Sequence, residues 1–144
     1  ESCLLAFTGL DHNSGSIHED QRSVTSSSKI KQNIKQNVVL TYAMRDDLLR
    51  GRIMDLGDKL NQAWSYKKTL SSKISNYHLD EIYDGAMKNG ACGGKLLGAG
   101  GGGFFLFIVD PFKRLQLVEY LHSLGLVTHA PNFDSEGLTT WRVR

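Results

Sequence analysis

The chain has 144 residues, of which 40% are hydrophobic and 22% charged, and its formal net charge is +2. This length and balance predict one globular domain with a buried core and exclude a disordered segment. Acidic and basic residues are interspersed, so nothing in the charge pattern indicates nucleic-acid binding. No apolar run is long enough to cross a membrane, and the N-terminus lacks the pattern of a signal peptide. We therefore expect a cytoplasmic protein with no membrane partner, whose Cys3 and Cys92 are reduced thiols.

The first predicted element is a strand within "CLLAFTG", which Thr8 and Gly9 end. Ser16 and Glu19 then have the spacing of a capping box and predict the start of a helix. The polar stretch 23–37 is predicted to be a connection that becomes helical. Because the chain enters a strand at once and lacks an initiator methionine, we expect it to be a piece of a longer protein.

A helix several turns long is predicted over residues 49–64. Large apolar residues recur every three or four positions and fall on one face, which we expect to be core: Leu49, Ile53, Leu56, Leu60 and Trp64. Gly51 and Gly57 lie inside this predicted helix, where each costs up to about 1 kcal/mol relative to alanine. Close packing against a neighbouring element would explain both glycines.

A second, shorter helix is predicted over residues 79–89. Asp80 and Glu81 lie in its first turn, Lys88 lies in its last turn, and Gly90 follows the end. The glycine-rich loop and a buried strand over 104–109 come next, and Asp110 and Pro111 close that strand. Helical spacing then resumes and continues to Gly125.

The C-terminal segment is predicted to be mostly strand. Residues that favour strands flank "DSEG" and predict a hairpin, with Pro131 keeping its first arm at the edge of the sheet. The full order is strand, helices, strand, glycine loop, strand, helix, strand. It predicts an α+β fold, a ferredoxin-like two-layer plait with additional helices inserted after the first strand.

The glycine loop departs from three known nucleotide-binding motifs. Gly98, Gly100 and Gly103 have the G-x-G-x-x-G spacing of a dinucleotide site, but a strand follows the loop where that site needs a helix. A Walker A motif would need glycine at Asn89 and serine or threonine at Leu96. The accompanying motifs of protein kinases are not in the sequence.

Two interpretations of the loop remain open. A tight turn between strands needs only one or two glycines. Each further glycine costs roughly 0.5–1 kcal/mol of chain entropy, which favours the close approach of another backbone or of a phosphate.

The stretch "GGKLLGAGGGGFFLF" resembles the third, C-terminal motif of the GHMP kinases, the family of galactokinase, homoserine kinase and mevalonate kinase. The segments "NYHLDEIYDGAMKNGACGGKLLGAGGGGF", "LGDKLNQAWSYKKTLS" and "FDSEGLTTWRV" most resemble the bacterial D-glycero-D-manno-heptose 7-phosphate kinases within that family. The resemblance implies that residues 1–144 are a GHMP kinase C-terminal domain. The ATP-binding half would lie on sequence that precedes them.

The resemblance also implies an activity for the full-length enzyme. It would transfer the γ-phosphoryl group of ATP, with Mg²⁺, to the anomeric hydroxyl of heptose 7-phosphate, for nucleotide-activated heptose and then lipopolysaccharide or capsule. The general base and the Mg²⁺ contacts would come from the N-terminal half. This chain alone would hold no catalytic residue, cofactor or metal, and would be inactive.

The predicted site residues fall into two groups. A wall of the phosphate or nucleotide site is assigned to Gly98, Ala99, Gly100, Gly101, Gly102 and Gly103. The candidates for binding the substrate are Lys95, Gly94, Asp80, Asp11 and His12. Lys95 could equally be a solvated residue at a strand edge, and Asp80 could serve only the helix dipole. The Asp-His pair also departs from the basic residue that related kinases tend to carry there.

Alternatives to the heptose kinase stay open. Another GHMP sugar kinase such as a fucokinase, or a non-catalytic ferredoxin-like module that binds a small molecule or a partner, would fit the same pattern. We expect the N-terminal half of the same polypeptide to be the main partner. An apolar face left uncovered by its absence could instead form a homodimer.

Overall fold

The computed structural model describes residues 1–10, 15, 17, 19–20, 27–132 and 134–142. Its strands are β1 (Cys3–Phe7), β2 (Ala91–Leu96), β3 (Phe104–Val109) and β4 (Val127–His129). Its helices are α1 (Ser28–Leu49), α2 (Ile53–Lys68), α3 (Tyr77–Lys88) and α4 (Arg114–Ser123), and a 3₁₀ turn (Pro111–Lys113) precedes α4. No helix in these described ranges is both long and apolar enough to span a membrane.

The four strands form one antiparallel sheet in the order β2-β3-β1-β4. In its centre β1 pairs with β3 from Cys3 opposite Ile108 to Phe7 opposite Phe104. Helices α1 to α3 connect β1 to β2, and α4 connects β3 to β4. This topology confirms the predicted α+β plait and its helical insertion after the first strand.

The core lies between one face of the sheet and the helices. Phe105 and Phe107 alternate along β3, so both side chains point to that face. The Trp64 ring of α2 meets Phe105 edge-on, with ring centroids 5.8 Å apart, and the Tyr83 ring of α3 lies 5.9 Å from Phe107. These aromatic contacts hold α2 and α3 against β3, the strand at which the glycine loop ends.

The long helix predicted over residues 49–64 is wrong, because the chain breaks between α1 and α2. Gly51 adopts a φ of +70°, in the left-handed region that ends a helix. The apolar spacing continues across this break, which is why the pattern suggested one helix. Leu49 is 78% exposed and lies outside the core, whereas Trp64 is fully buried.

The predicted reasons for the two glycines of this region have different outcomes. A Cβ at Gly51 would meet nothing within 4 Å, so close packing is wrong there and conformational freedom is the reason. A Cβ at Gly57 would lie 3.2 Å from the Cβ atoms of Cys92 and Ile108, which confirms close packing against the sheet.

A buried carboxylate holds the break between α1 and α2 together. The Arg52 backbone N–H donates to the Asp47 carbonyl oxygen at 2.8 Å. The Asp47 side chain accepts a hydrogen bond from the Arg52 guanidinium at 2.5 Å, and it pairs with the Lys59 ammonium at 2.5 Å. Lys59 and then Arg52 lower the pKa of Asp47. The turn is therefore fixed by charge as well as by Gly51.

The predicted shorter helix and the helix after β3 are confirmed. The Asn76 side chain caps α3 by accepting from the Leu79 N–H at 3.0 Å, and Gly90 follows the helix with a φ of +108°. Gly125 follows α4 with a φ of +76°. Ser16, the predicted start of an earlier helix, lies outside the described residues, while Glu19 and Asp20 are helical.

The predicted C-terminal hairpin is wrong. β4 pairs with β1 at the edge of the sheet, as Pro131 predicted, but residues 130–132 and 134–142 contain no strand. The Asp134 side chain accepts from the Glu136 N–H at 2.8 Å, so a local turn is present without flanking strands. Trp141 is 80% exposed, and the apolar side chains that suggested a strand have no sheet beside them in the described part of the chain.

Candidate functional site

The glycine loop, residues 97–103, joins β2 to β3. The Leu97 N–H donates to the Phe104 carbonyl oxygen at 2.8 Å and closes the loop at its base. Gly98, Gly100, Gly101 and Gly103 have φ values of +69°, +128°, +78° and +95°. Residues with a Cβ rarely adopt these angles, so the local path of the chain depends on glycine.

Two other backbone segments pack against the loop at distances that exclude a side chain. A Cβ at Gly100 would lie 2.9 Å from the Ile74 Cα, and a Cβ at Gly102 would lie 2.5 Å from the Leu10 carbonyl oxygen. The N–H groups of Gly101 and Gly103 donate to the carbonyl oxygens of Ile74 and Leu10 at 2.9 and 3.0 Å. The predicted close approach of another backbone is therefore confirmed, and the approach of a phosphate stays a prediction.

These contacts divide the predicted wall of residues 98–103 into two parts. Its second part is used internally, because Gly101 and Gly103 bond to Ile74 and Leu10. The N–H groups of Gly98 and Ala99 donate to no residue in the described part of the chain, and both residues are accessible to solvent. The N–H groups of Gly100 and Gly102 also donate to no described residue, but both glycines are buried, so the solvent-accessible donors lie at the start of the loop.

Lys67 of α2 fixes the start of the loop. It is only 9% exposed, and its ammonium donates to the carbonyl oxygens of Leu96 at 3.2 Å and Gly98 at 2.5 Å. Burial, and next the positive charge of Lys95, lower its pKa to about 8. Lys67 is not among the residues predicted from the sequence, because a lysine in the last turn of a helix is ordinarily explained by the helix dipole.

Lys95 of β2 faces the same space as Lys67. The two lysines, with Gly98 and Ala99 of the loop, line a cleft of about 320 Å³ whose other wall is α1. Burial lowers the pKa of Lys95, which is half-buried. No ion pair joins either lysine to a carboxylate within the described ranges. Lys95 lies on the edge strand β2, and both of its predicted roles, a contact to a phosphate and a solvated edge residue, stay predictions.

Gly94 and Asp80, two other predicted substrate residues, do not line this cleft. Gly94 is buried in β2, where a Cβ would lie 2.6 Å from the Phe107 ring and 2.7 Å from the Leu106 carbonyl oxygen. Asp80 accepts from the Ser75 hydroxyl at 2.8 Å and pairs with the Lys68 ammonium at 3.1 Å. Asp11 and His12 lie outside the described residues. Direct sugar contacts by Gly94 and Asp80 stay predictions, and both residues have structural partners.

The glycine loop lies inside a segment that matches a known protein family. The family model described as "GHMP kinases C terminal" matches residues 44–125, which covers more than half of the chain. The chain belongs to the GHMP kinase family. The match includes α2, α3, both lysines of the cleft and the glycine loop, so the domain is characterised by the same elements that build the candidate site.

Two curated proteins are similar to this chain in sequence. The chain is 33% identical over 147 aligned residues to a D-glycero-alpha-D-manno-heptose 7-phosphate kinase of Campylobacter jejuni, covering 97% of this chain and 41% of that protein. It is 32% identical over 83 residues to a bifunctional fucokinase/GDP-fucose pyrophosphorylase of Arabidopsis thaliana, covering 58% of this chain and 8% of that protein.

The structural comparison extends the similarity to the fold. A Streptococcus pneumoniae phosphomevalonate kinase, solved with phosphomevalonate and AMPPNP, superposes with a TM-score of 0.71 at 17% identity. That superposition covers 88% of this chain and 38% of the kinase. The chain thus spans about two fifths of the length of the Campylobacter and Streptococcus kinases and a smaller share of the Arabidopsis enzyme.

An apolar surface adjoins the loop on the face of the sheet opposite the core. Leu5, Leu97 and Phe104 line a depression of about 300 Å³ there, together with Gly98 and Gly103. The Phe7 and Phe104 rings lie on this face with centroids 5.1 Å apart, and both remain partly exposed. The domain therefore presents an uncovered apolar face directly beside its candidate site.

The described residues do not build a metal site. They contain no group of three or more histidine, cysteine, aspartate or glutamate side chains placed to hold one ion. The positive charges of the cleft suit the phosphates of a nucleotide or a sugar, and they do not suit a cation.

Proposed function

We propose that this chain is the C-terminal domain of an ATP-dependent kinase that phosphorylates the anomeric hydroxyl of D-glycero-D-manno-heptose 7-phosphate. The observation that carries the proposal is the likeness to the Campylobacter heptose kinase, which extends over 97% of this chain. The product would serve the synthesis of nucleotide-activated heptose for lipopolysaccharide or capsule in the cytoplasm.

The loop would form one wall of the phosphoryl-transfer site. Phosphoryl transfer depends mainly on positioning and on neutralising the charge of the phosphate oxygens. The free N–H groups of Gly98 and Ala99 and the charge of Lys95 would serve that purpose. Gly100 to Gly103 would hold the wall rigid, because two neighbouring backbone segments clamp them.

ATP and Mg²⁺ would act in the full-length enzyme. GHMP kinases use ATP, and the Streptococcus kinase was solved with AMPPNP, an analogue of ATP. ATP supplies the phosphoryl group, while this domain would bind and orient phosphate oxygens through the start of its loop. As the family resemblance implies, we assign the Mg²⁺ contacts and the general base to the N-terminal half.

That N-terminal half would be the main partner of this domain. The chain covers 41% of the heptose kinase, which leaves room for a nucleotide-binding half on the same polypeptide. We propose that this half packs on the apolar face that Leu5, Leu97 and Phe104 form beside the loop. A nucleotide held there would lie next to Gly98.

The second candidate is a fucokinase, which the likeness to the Arabidopsis enzyme favours over other sugar kinases. It would use the same loop but a substrate without a phosphate. The two candidates therefore differ in whether the site must hold a second phosphoryl group besides those of ATP.

The test is an ADP-release assay on the full-length enzyme with heptose 7-phosphate and with free fucose. We expect turnover with heptose 7-phosphate alone, none from the isolated 144-residue chain, and a large loss in Gly101→Val, since valine is strained at a φ of +78°. Turnover with fucose only would overturn the substrate assignment, and full activity of Gly101→Val would overturn the role of the loop.

A further inference from the structure

We propose that Lys67 and Tyr83 are positioning residues for phosphoryl transfer. Their side chains bind the edge of β2 in place of a neighbouring strand, and they thereby set where the glycine loop begins. Both act through the backbone that leads into Gly98, and not by contact with the substrate or the nucleotide. Their effect on phosphoryl transfer rests on the proposed function, whereas the attachment of the strand edge does not.

The outer edge of β2 presents backbone carbonyl oxygens to which no strand is paired. β2 ends the sheet order, and it pairs only with β3 in the described part of the chain. Successive residues of an antiparallel strand direct their N–H and C=O groups to opposite sides. Because the Leu97 N–H points to the Phe104 carbonyl oxygen of β3, the carbonyl oxygens of Gly94 and Leu96 point away from β3. The Gly98 carbonyl oxygen follows them at the start of the loop.

Side chains from two helices bind these three carbonyl oxygens. The Lys67 ammonium of α2 donates to Leu96 at 3.2 Å and to Gly98 at 2.5 Å. The Tyr83 hydroxyl of α3 donates to Gly94 at 3.2 Å. The bonds fall on every second residue, which is the spacing at which a neighbouring strand would bind the same edge. The two side chains therefore take the place of a fifth strand.

Burial makes these bonds necessary. Gly94 is buried and Leu96 is fully buried, and a buried carbonyl oxygen without a donor destabilises the folded state. Lys67 and Tyr83 are only 9% and 5% exposed, so water has little access to replace them. The interior N–H groups of a helix already bond within that helix, so a helix that covers a strand edge can bind it only through side chains.

The packing of α2 against β2 brings these side chains within reach. A Cβ at Gly93 would lie 1.9 Å from the Gly57 carbonyl oxygen, so the two glycines allow the helix to approach the strand closely. The Tyr83 hydroxyl also donates to Asn61 Oδ1 of α2 at 2.8 Å and shares its one proton between the helix and β2. Burial raises the pKa of Tyr83 to about 12, so this donor keeps its proton near neutral pH.

The bridge that Lys67 makes determines the position of the first loop residues. Its two acceptors flank Leu97, whose N–H closes the base of the loop. Gly98 has a φ of +69°, so the ammonium holds the residue at which the chain leaves the direction of the strand. Backbone hydrogen bonds hold the end of the loop instead. The accessible N–H groups of Gly98 and Ala99 therefore depend on Lys67 for their position.

Two substitutions remove these donors with little change of shape, and each has a matched control. Tyr83→Phe removes only the hydroxyl, and Lys67→Met removes the ammonium from a side chain of similar length. Tyr120→Phe is the control for the first, because the Tyr120 hydroxyl lies 3.4 Å from the Glu81 carbonyl oxygen and not on β2. Lys88→Met is the control for the second, because Lys88 is an exposed lysine that also lies in the last turn of its helix.

Native-state hydrogen exchange on the full-length protein measures the attachment at the Leu97 amide. We expect exchange there to be at least about tenfold faster in Lys67→Met, roughly threefold faster in Tyr83→Phe, and unchanged in both controls. The Gly103 amide should keep its rate, because Leu10 holds it, and this separates a local loosening from a global loss of stability. Unchanged exchange at Leu97 would overturn the bridge. Circular dichroism identifies a variant that fails to fold, and Tyr83→Phe decides the question if Lys67→Met does.

Steady-state kinetics below the melting transition of each variant test the role in phosphoryl transfer. We expect kcat per folded enzyme to fall at least about tenfold in Lys67→Met and less in Tyr83→Phe, with both KM values within roughly threefold, because displaced donors lose transition-state contacts. Lys67→Arg should recover part of kcat, since it retains the charge and the donors. Faster exchange at Leu97 with a wild-type kcat would overturn the positioning role. Turnover of fucose alone would reject only the proposed substrate, because the same comparison of kcat is then made with fucose.

Discussion

Substituting Gly102 by alanine should loosen the glycine loop through a purely steric effect. Gly102 does not have a positive φ, so an alanine there carries no backbone strain of its own. Its Cβ would nevertheless lie 2.5 Å from the Leu10 carbonyl oxygen and 3.0 Å from the Leu10 carbonyl carbon. Because the obstacle is backbone, a side-chain rotation cannot relieve the contact.

The magnitude follows from what must move. Overpacking of this kind costs typically about 1–3 kcal/mol. Separating the segments also weakens the Gly103 hydrogen bond to Leu10, which is 3.0 Å long, and a backbone hydrogen bond contributes about 0.5–1.5 kcal/mol net. We therefore expect Gly102→Ala to lower the local opening free energy of the loop by about 2–4 kcal/mol.

Native-state hydrogen exchange on the full-length protein measures this quantity directly, because the amides of Gly101 and Gly103 are held by Ile74 and Leu10. The matched control is Gly125→Ala, where φ is +76° and a Cβ meets nothing within 4 Å, so it tests the loss of a glycine far from the loop. We expect faster exchange at the amides of Gly101 and Gly103, together with a fall in kcat, in Gly102→Ala and not in Gly125→Ala. Unchanged exchange at Gly101 and Gly103 would refute it.

Two further predictions concern Lys67 and the packing of α2. The folded-state pKa of Lys67 of about 8 lies below its ordinary value of 10.5, so the unfolded chain binds more protons between these values and stability rises with pH there. Melting curves should show this rise between pH 8 and 9.5 in the wild type and a smaller rise in Lys67→Met. Lys95 is the charged group that faces Lys67 across the cleft. An equal rise in both proteins would contradict the lowered pKa of Lys67. Gly93→Ala would place its Cβ 1.9 Å from the Gly57 carbonyl oxygen, so we expect a loss of several kcal/mol in urea unfolding, and a loss below about 1 kcal/mol would show that α2 does not pack there as described.

Much of the fold could be predicted because its signals are local. A short, continuous apolar run closed by Asp110 and Pro111 identifies β3, and acidic, basic and glycine residues in the right order identify α3. The break at Gly51 could not be predicted, since the apolar period continues unchanged across it. The predicted hairpin was wrong because residues that favour strands form one only beside a neighbouring strand. The described residues after β4 have no such neighbour.

The candidate site was predictable only in part. An excess of glycine indicated a close approach, but it could not identify Ile74 and Leu10 as the segments that come close. Lys95 lies within the motif and was found from it, whereas Lys67 is 28 residues earlier and reaches the loop only through the packing of α2 against β2. A contact between distant segments leaves no pattern in a single sequence.

The most direct test of the central claim is ³¹P NMR of the full-length enzyme with heptose 7-phosphate, ATP and Mg²⁺. The proposed function predicts a new resonance from a phosphate on the anomeric oxygen, coupled to the anomeric proton, that grows with ADP in equal amounts while the 7-phosphate resonance persists. An unchanged sugar-phosphate spectrum, from an enzyme that phosphorylates fucose under the same conditions, would contradict it.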